Sequence, residues 1–289
     1  MRSMFAIGAL LTASALLVNG QFGGLVDRAR KKVDEARQKA KPVTDRAEKA
    51  VSAYTAWTPE QEQQIGEATA AKIIAIFGLV ESPNLTKYVN LVGASVARNA
   101  PRQVPYRFAV LNTDIVGAYA LPGGFIFITK SAVEAMENEA QLAGALGHEI
   151  IHVSERHLET EIQGKKTSAW AMEEAKAQAG SNTPEFIRKR AEALLQDLFN
   201  TKLSREKEDG ADEHGTLLAA KAGYKASGLN EFLHTLDQAQ SKPDGQRATS
   251  QLLASHPPFA ERIERLTPIV AQAGTKGQTN QARFLAALK

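Results

Sequence analysis

Two histidines and a glutamate lie close together in the segment NEAQLAGALGHEIIHVSERH, residues 138–157. His148 and His152 are four residues apart, so in a helix they share one face. Two such imidazoles can bind one Zn²⁺ at about 2.0 to 2.1 Å, and Glu149 can reach a water molecule beside the metal. Zinc lowers the pKa of that water toward about 7, and a carboxylate can accept its proton as it attacks a peptide carbonyl. The HExxH pattern therefore predicts metal-assisted hydrolysis, against the alternative of two surface histidines.

A zinc site of this kind needs a third protein ligand. A histidine six residues after His152 is excluded, because that position is a leucine. The helical segment SREKEDGADEHGTLLAAKAG, residues 204–223, offers carboxylates instead. Glu208 and Asp212 share one face of it, so Glu208 can complete the site while Asp212 accepts the free ring N–H of a zinc-binding histidine, first of all His148. On charge alone, three other carboxylates of this helix are also possible third ligands: Glu206, Asp209 and Glu213.

The hydrophobic pattern predicts a mainly helical scaffold for these residues. Apolar residues recur at helical spacing through the HExxH segment, with Asn138 as N-cap, and TPEQ at 58–61 predicts another helix start. Two β-like runs, YRFAVL at 106–111 and FIFI at 125–128, flank a turn around LPGG. After Lys130 nearly everything is helical in pattern. The predicted fold class is α+β, mainly α-helical, with a small antiparallel sheet whose edge strand flanks the HExxH helix.

Composition limits the classes of protein that this chain can represent. It has 289 residues, 43% of them hydrophobic and 23% charged, so it can bury an ordinary core. The lack of cysteine excludes disulfides, thiolate metal sites and thiol nucleophiles, so any metal must be bound by histidines and carboxylates. Basic and acidic residues are nearly balanced, 35 against 32, and the formal net charge of +3 does not predict nucleic-acid binding. No nucleic acid is expected as a partner.

Composition also divides the chain into segments. Residues 1–20 have the order of a secretory signal peptide, with an uncleaved membrane anchor as the alternative. Residues 21–57 form a predicted basic helical arm, with nine basic and five acidic residues between 25 and 54, and weak contact with membrane surfaces is its functional interpretation. The zinc-binding domain is predicted at 58–268, followed at 269–289 by a flexible C-terminal tail with a short terminal helix.

The chain resembles the gluzincin peptidases of metallopeptidase family M48, which includes HtpX-type, Oma-type and CAAX-prenyl proteases. Four segments carry the resemblance: LPGGFIFI, LGHEIIHVSERH, LSREKEDGADEHGTLLAAKAGY and SHPPFAERIERL. The similarity runs from about Thr58 to Leu266. It implies a zincin-like fold, one zinc ion per chain, Glu149 as catalytic acid and base, and Asp212 as support for a histidine ligand. The zinc ligands that it implies are His148, His152 and Glu208.

The SHPP segment is expected, from the family, to return to the active site, and it contains His256 and Arg262, both candidate catalytic residues. His256 could stabilise the oxyanion of the tetrahedral intermediate, or it could occupy a fourth zinc position in a closed, resting form. The sequence leaves both open. The alternative is structural, with His256 capping a helix and Arg262 paired with a nearby carboxylate.

Substrate binding is expected at Phe125–Ile128, interpreted as an edge strand onto which an extended peptide adds as a further strand. The preceding GAYALPGG differs from the family's usual NAFALPGG, because Gly117 stands where an asparagine is typical. A side-chain amide that would hold the substrate backbone is therefore missing. The predicted substrate-binding residues are Gly123, Gly124, Phe125, Ile126 and Phe127.

The resulting hypothesis is a zinc metalloendopeptidase that hydrolyses unfolded or misfolded polypeptides. Family members similar in size are exported, which implies a periplasmic location and envelope protein quality control. One alternative is a chaperone-like binder of misfolded proteins that keeps its zinc site latent through His256. Another is a helical structural protein in which the motifs are accidental.

Overall fold

The computed structural model describes residues 57–164, 184–200 and 202–289. The predicted signal peptide at 1–20 and nearly all of the predicted arm at 21–57 lie outside the described residues, so both stay predictions. Within the described ranges, no helix combines the length and the apolar character that crossing a lipid bilayer requires.

Two helices precede the sheet: α1 (Pro59–Phe77) and α2 (Pro83–Ala97). α1 begins where the TPEQ sequence predicts. The Thr58 hydroxyl accepts from the backbone N–H of Gln61 at 3.2 Å, and the Gln61 side chain accepts from the Thr58 N–H at 3.0 Å. This capping box, with a proline at the first helical position, fixes the start of α1.

Three strands form one small mixed sheet: β1 (Arg107–Leu111), β2 (Ala118–Leu121) and β3 (Phe125–Thr129). Their order is β1–β3–β2, with β1 parallel and β2 antiparallel to β3. The register pairs Arg107 with Phe125 and Ala118 with Ile128. The α+β, mainly helical fold class is confirmed, but the prediction of an antiparallel sheet is wrong for the β1–β3 pair.

β3 is the central strand, so the prediction that Phe125–Ile128 forms an edge strand is also wrong. Ile126, Phe127 and Ile128 are all buried, and such an uninterrupted apolar run is typical of a strand covered on both faces. Strand β2 was not predicted from the sequence; it has four residues, two of them alanines. A 3₁₀ turn, Pro122–Gly124, follows it at once, so this strand resembles part of the turn.

Helices make up most of the remaining described chain. Those after the sheet are α3 (Lys130–Glu134), α4 (Glu139–Ser154), α5 (His157–Gly164), α6 (Pro184–Asn200), α7 (Arg205–Lys221), α8 (Gly228–Ala239), α9 (Pro243–Ser255), α10 (Phe259–Ala273) and α11 (Gln281–Ala287). α4 carries the HExxH segment, and all 16 of its residues are buried. It contacts α2, α7, α8 and β2, as expected for a helix inside a core.

The C-terminal segment differs from the predicted flexible tail. α10 continues through residue 269 to Ala273, and α11 is the predicted short terminal helix. Phe284 of α11 is fully buried in the main core. Arg283 donates from Nε to Glu139 Oε2, at the start of α4, over 2.7 Å. A buried aromatic ring and a charge-assisted hydrogen bond therefore anchor this end of the chain.

Candidate metal centre

α4 places His148 and His152 one turn apart on the side that packs against α7. Their Nε2 atoms lie 2.9 Å apart. Both residues are buried, with 3% and 6% of their surface exposed. Burial holds the pKa of His152 well below its ordinary value, which favours the neutral imidazole that binds metals. The structure thus brings the two predicted histidines together with their Nε2 atoms facing one another.

α7 brings a carboxylate to the same point. Glu208 Oε2 lies 3.7 Å from His148 Nε2, and Glu208 Oε1 lies 3.7 Å from His152 Nε2. Two glycines allow the helices to approach this closely. A Cβ on Gly147 would lie 2.5 Å from the carbonyl oxygen of Gly215, and a Cβ on Gly215 would lie 2.5 Å from the backbone nitrogen of His148. Larger residues would push α7, and Glu208 with it, away from the histidines.

These donor atoms fit a tetrahedral metal ion. Ligand atoms about 2.0 to 2.1 Å from a tetrahedral zinc ion lie roughly 3.3 Å from one another, close to the distances found here. Glu208 is only 1% exposed, and its Oε2 accepts no hydrogen bond from the described residues. Burial raises the pKa of this carboxyl to about 7. A cation would offset this cost of burial, so His148, His152 and Glu208 could hold one ion.

A third histidine joins this cluster. His256 Nε2 lies 3.5 Å from Glu208 Oε2, and its ligand atom lies within 4.8 Å of those of the other three residues. Its Nδ1 lies 3.2 Å from the backbone carbonyl of Leu252. A carbonyl can only accept, so this contact is a hydrogen bond when Nδ1 carries the proton, and Nε2 then keeps a lone pair directed at the cluster. Burial lowers the pKa of His256 well below its ordinary value and favours this neutral form.

The model of peptidase family M48 matches residues 83–270, more than half of the chain. The chain belongs to peptidase family M48. It is 28% identical to the beta-barrel assembly-enhancing protease of Escherichia coli (strain K12) over 245 residues. The aligned region covers 78% of this chain and 48% of that protein. It is 29% identical over 167 residues to the metalloprotease YcaL of the same organism, covering 58% and 63%. It is 28% identical over 183 residues to the mitochondrial metalloendopeptidase OMA1 of Homo sapiens, covering 59% and 33%.

Membership in M48 confirms the resemblance that the four sequence segments indicate. It supports a zinc metalloendopeptidase, because the family uses zinc and the buried histidines and glutamate could hold one ion. The chain spans about half the length, 48%, of the beta-barrel assembly-enhancing protease that it matches.

Asp212 of this M48 chain lies one turn beyond Glu208 on α7. Its Oδ1 lies 2.9 Å from His148 Nδ1, the ring nitrogen opposite the ligand cluster. Arg262 of α10 donates to both Asp212 oxygens, over 2.9 Å from Nε and 2.6 Å from Nη2. Burial opposes ionisation of Asp212, but the Arg262 charge outweighs it and lowers the pKa of the carboxyl. Arg262 is therefore paired with a carboxylate, as the structural alternative expects.

Glu149 opens onto two adjoining cavities. Burial raises the pKa of its carboxyl. One cavity lies beside His148 and is lined mainly by apolar side chains of α8 and its neighbours, and the other contains Glu208. Both are lined by Glu149, His256 and Ala118, the first residue of β2. Glu149 therefore borders the same cavities as His256 and the first residue of β2.

The predicted substrate-binding residues lie elsewhere. Among the described residues, the linings of these two cavities do not include Gly123, Gly124, Phe125, Ile126 and Phe127. The two glycines form the turn between β2 and β3, with φ of 75° and 91°, and the other three belong to central β3. β2 instead contributes to the cavity that contains Glu208, through Ala118, Tyr119 and Ala120. The only feature of β2 that could have indicated a strand is the alternation of small and large apolar residues in AYAL.

Proposed function

We propose that this chain is a zinc-dependent endopeptidase that cleaves unfolded or misfolded polypeptides outside the cytoplasm. One observation carries the proposal: the buried carboxylate of Glu149 shares a cavity with members of the candidate ligand set and with strand β2. Peptide hydrolysis needs a metal, a base and a bound substrate backbone at one point. A metal held by the candidate ligands and a peptide on β2 would meet Glu149 in this cavity.

His148, His152 and Glu208 would hold the ion. When bound, zinc supplies a Lewis acid that polarises the peptide carbonyl and acidifies water. Glu149 accepts the proton of the water that attacks the carbonyl carbon, and it donates that proton to the amine nitrogen as the C–N bond breaks. The raised pKa of Glu149 suits both steps, because the group can take and release a proton closer to neutral pH.

Asp212 and Arg262 act through His148 in this proposal. With His148 Nε2 directed at the metal, the proton of the ring lies on Nδ1, 2.9 Å from Asp212 Oδ1, and the charge of that carboxylate favours this tautomer. Arg262 holds the Asp212 carboxylate in place through two hydrogen bonds. We therefore assign Arg262 to positioning, in place of the catalytic role that the sequence suggests.

Substrate would add as a further strand along β2. Within the described residues, β2 pairs with β3 on one side, and no strand covers its other side. A peptide bound there forms main-chain hydrogen bonds whatever its side chains are, which favours sequence-tolerant cleavage of unfolded segments. Because Gly117 offers no side-chain amide, main-chain pairing has to supply more of the affinity.

Methylation of the substrate backbone tests this binding mode. An N-methyl group within two residues of the cleaved bond should lower kcat/KM by about tenfold, the value of one hydrogen bond of roughly 1.4 kcal/mol. Exchange of a side chain at the same position should have a smaller effect. Equal cleavage of methylated and parent peptides would contradict strand addition along β2.

We also propose that the chain is exported. Residues 1–20 have the order of a signal peptide, and the basic arm would add weak contact with a membrane surface. The name of one relative, beta-barrel assembly-enhancing protease, supports envelope proteins as substrates. Protein recovered from the periplasm should begin near Gln21. A chain that keeps residue 1 and stays in the membrane fraction would instead support the uncleaved anchor.

Glu149→Gln tests the proposed activity. The amide cannot accept the water proton, so casein cleavage should fall about 10²- to 10⁴-fold while zinc stays bound. Glu206→Gln, which changes an exposed carboxylate of α7, is the control and should cleave casein like the wild type. Full activity of Glu149→Gln would overturn the mechanism.

His256 favours a second, latent state of the same site. As a fourth ligand it would fill the position that water and substrate need, and the chain would then bind misfolded polypeptides without cleaving them. In that case His256→Ala should raise casein cleavage. Reduced cleavage would favour oxyanion stabilisation by His256. Suppression of aggregation without cleavage, by both wild type and His256→Ala, would favour the chaperone-like binder.

A further inference from the structure

His152 has a second ring nitrogen that faces away from the ligand set. This Nδ1 lies 2.8 Å from Nδ1 of His157. His157 Nε2 lies 3.0 Å from Glu155 Oε2, and Glu155 Oε1 lies 2.9 Å from His214 Nδ1. His152 and His157 are buried, whereas Glu155 and His214 reach the surface. A continuous chain of hydrogen bonds thus runs from the ligand set to solvent.

Ligation of a metal by His152 Nε2 would fix the direction of every hydrogen bond in this chain. Nε2 offers its lone pair to the metal, so the proton stays on Nδ1 and is donated to His157 Nδ1. His157 Nε2 then carries the proton of that ring and donates it to Glu155. His214 donates to the second oxygen of the same carboxylate. One set of neutral tautomers satisfies all three contacts.

The backbone explains how the His157 ring returns to His152. α4 ends at Ser154, and Arg156 has φ of 55°, a left-handed conformation that is uncommon for a residue with a side chain. This turn starts α5 at His157, and the two imidazole centroids lie 5.0 Å apart. Arg156 Nη2 donates to the buried carboxylate of Glu62 over 3.0 Å, which helps to hold the turn. Uncommon backbone of this kind concentrates at functional sites.

We propose that His157 is the positioning residue of His152. It accepts the Nδ1 proton, fixes the tautomer and orientation of the ring, and so raises the affinity of the site for zinc. The inference rests on the proposed zinc site and assigns the partner of its second histidine. Asp212 supports His148 directly as an ionised carboxylate, whereas the Glu155 carboxylate supports His152 through His157.

Two substitutions of nearly equal size separate the hydrogen bond from packing. Asparagine keeps an oxygen that can accept from His152 Nδ1, and leucine has a similar shape without an acceptor. Competition with a chromophoric chelator measures the zinc affinity of the full chain. We expect His157→Leu to weaken zinc binding about 10- to 100-fold, and His157→Asn to stay near the wild-type value. His234→Leu removes an exposed imidazole of α8 and should leave the affinity unchanged.

Wild-type affinity in folded His157→Leu would overturn the proposal, and so would equal losses in the leucine and asparagine variants. If His157→Leu does not fold, as judged by circular dichroism, Glu155→Gln provides the test. It removes the charge that holds the His157 ring, so zinc binding should weaken by about threefold, and an unchanged affinity would overturn the proposal. The zinc measurement is independent of casein cleavage. A wild type that binds zinc but cleaves nothing would contradict the proposed activity and leave the assignment of His157 standing.

Discussion

Each end of α4 has a buried carboxylate beside it, and the two carboxylates are satisfied differently. At the N-terminal end, fully buried Glu139 accepts from Tyr88, Asn280 and Arg283. Burial acts to raise the pKa of Glu139, but these partners, Arg283 above all, outweigh it and lower the pKa. Near the C-terminal end, Glu208 is equally buried, keeps an oxygen without a hydrogen bond among the described residues, and has its pKa raised to about 7 by burial.

The difference separates a carboxylate that holds the fold from one that is suited to a ligand. Glu139 finds its partners within the chain, so its charge is already compensated where the C-terminal helix docks. Glu208 faces the Nε2 atoms of two imidazoles, and a cation bound among these atoms would compensate its buried charge. Changes at the first end should therefore alter the free energy of unfolding, and changes at the second should alter zinc binding.

The largest effect is expected at the ligand end. Glu208→Gln should weaken zinc binding at least about 100-fold, because the site loses its only carboxylate among the candidate ligands of the described chain. The metal-free variant should be at least as stable as the metal-free wild type, since a neutral amide replaces a buried carboxyl. Chelator competition and urea unfolding measure the two quantities. A large loss of stability in the metal-free variant would contradict the division of roles between the two ends.

Phe284→Ala should have the largest effect at the other end. Removal of a fully buried aromatic ring costs about 3 to 5 kcal/mol of unfolding free energy. Urea unfolding of the metal-free protein measures this loss. The fraction that stays folded should bind zinc with wild-type affinity, and a wild-type unfolding free energy would show that α11 does not anchor the core.

Glu139→Gln should lower the unfolding free energy by a smaller amount, about 1 to 3 kcal/mol, because charge-assisted hydrogen bonds are lost. The folded pKa of Glu139 is depressed, so its contribution is fully present above the ordinary pKa near 4.5. It is lost as the pH falls through the lower folded value. The stability difference between wild type and variant should therefore shrink below about pH 4.5. A difference that is constant between pH 3 and 7 would contradict this sign.

Gly215→Ala should have a modest effect on both quantities, because it lies where α4 and α7 touch. The new Cβ would lie 2.5 Å from the His148 backbone nitrogen, so the helices must separate, at a cost of about 1 to 3 kcal/mol. Zinc affinity should fall with it as Glu208 moves away. Gly210→Ala on the same helix meets no atom within 4 Å and is the control. Equal unfolding free energies and zinc affinities of the two variants would argue that close packing of α4 and α7 does not position Glu208.

The sequence predicts the parts of this site that depend on local spacing. His148 and His152 follow from the four-residue interval, and Thr58 predicts the start of α1. Strand pairing depends on contacts between distant segments, so the parallel β1–β3 pair and the central place of β3 were not predictable from short runs. The position of the His157 ring beside His152 depends on the left-handed backbone of Arg156. The sequence does not predict this conformation, because Arg156 is not a glycine.

Thermal unfolding with and without zinc tests the division of roles most directly, on wild type, Glu139→Gln and Glu208→Gln. A ligand that binds the native state raises the unfolding free energy by RT ln(1 + [L]/Kd). Saturating zinc should raise the Tm of wild type and of Glu139→Gln by similar amounts, from a lower starting point in Glu139→Gln. Glu208→Gln should start at least as high as the wild type and gain little. A full zinc-induced rise in the Tm of Glu208→Gln, or no rise in that of Glu139→Gln, would contradict these separate roles of Glu208 and Glu139.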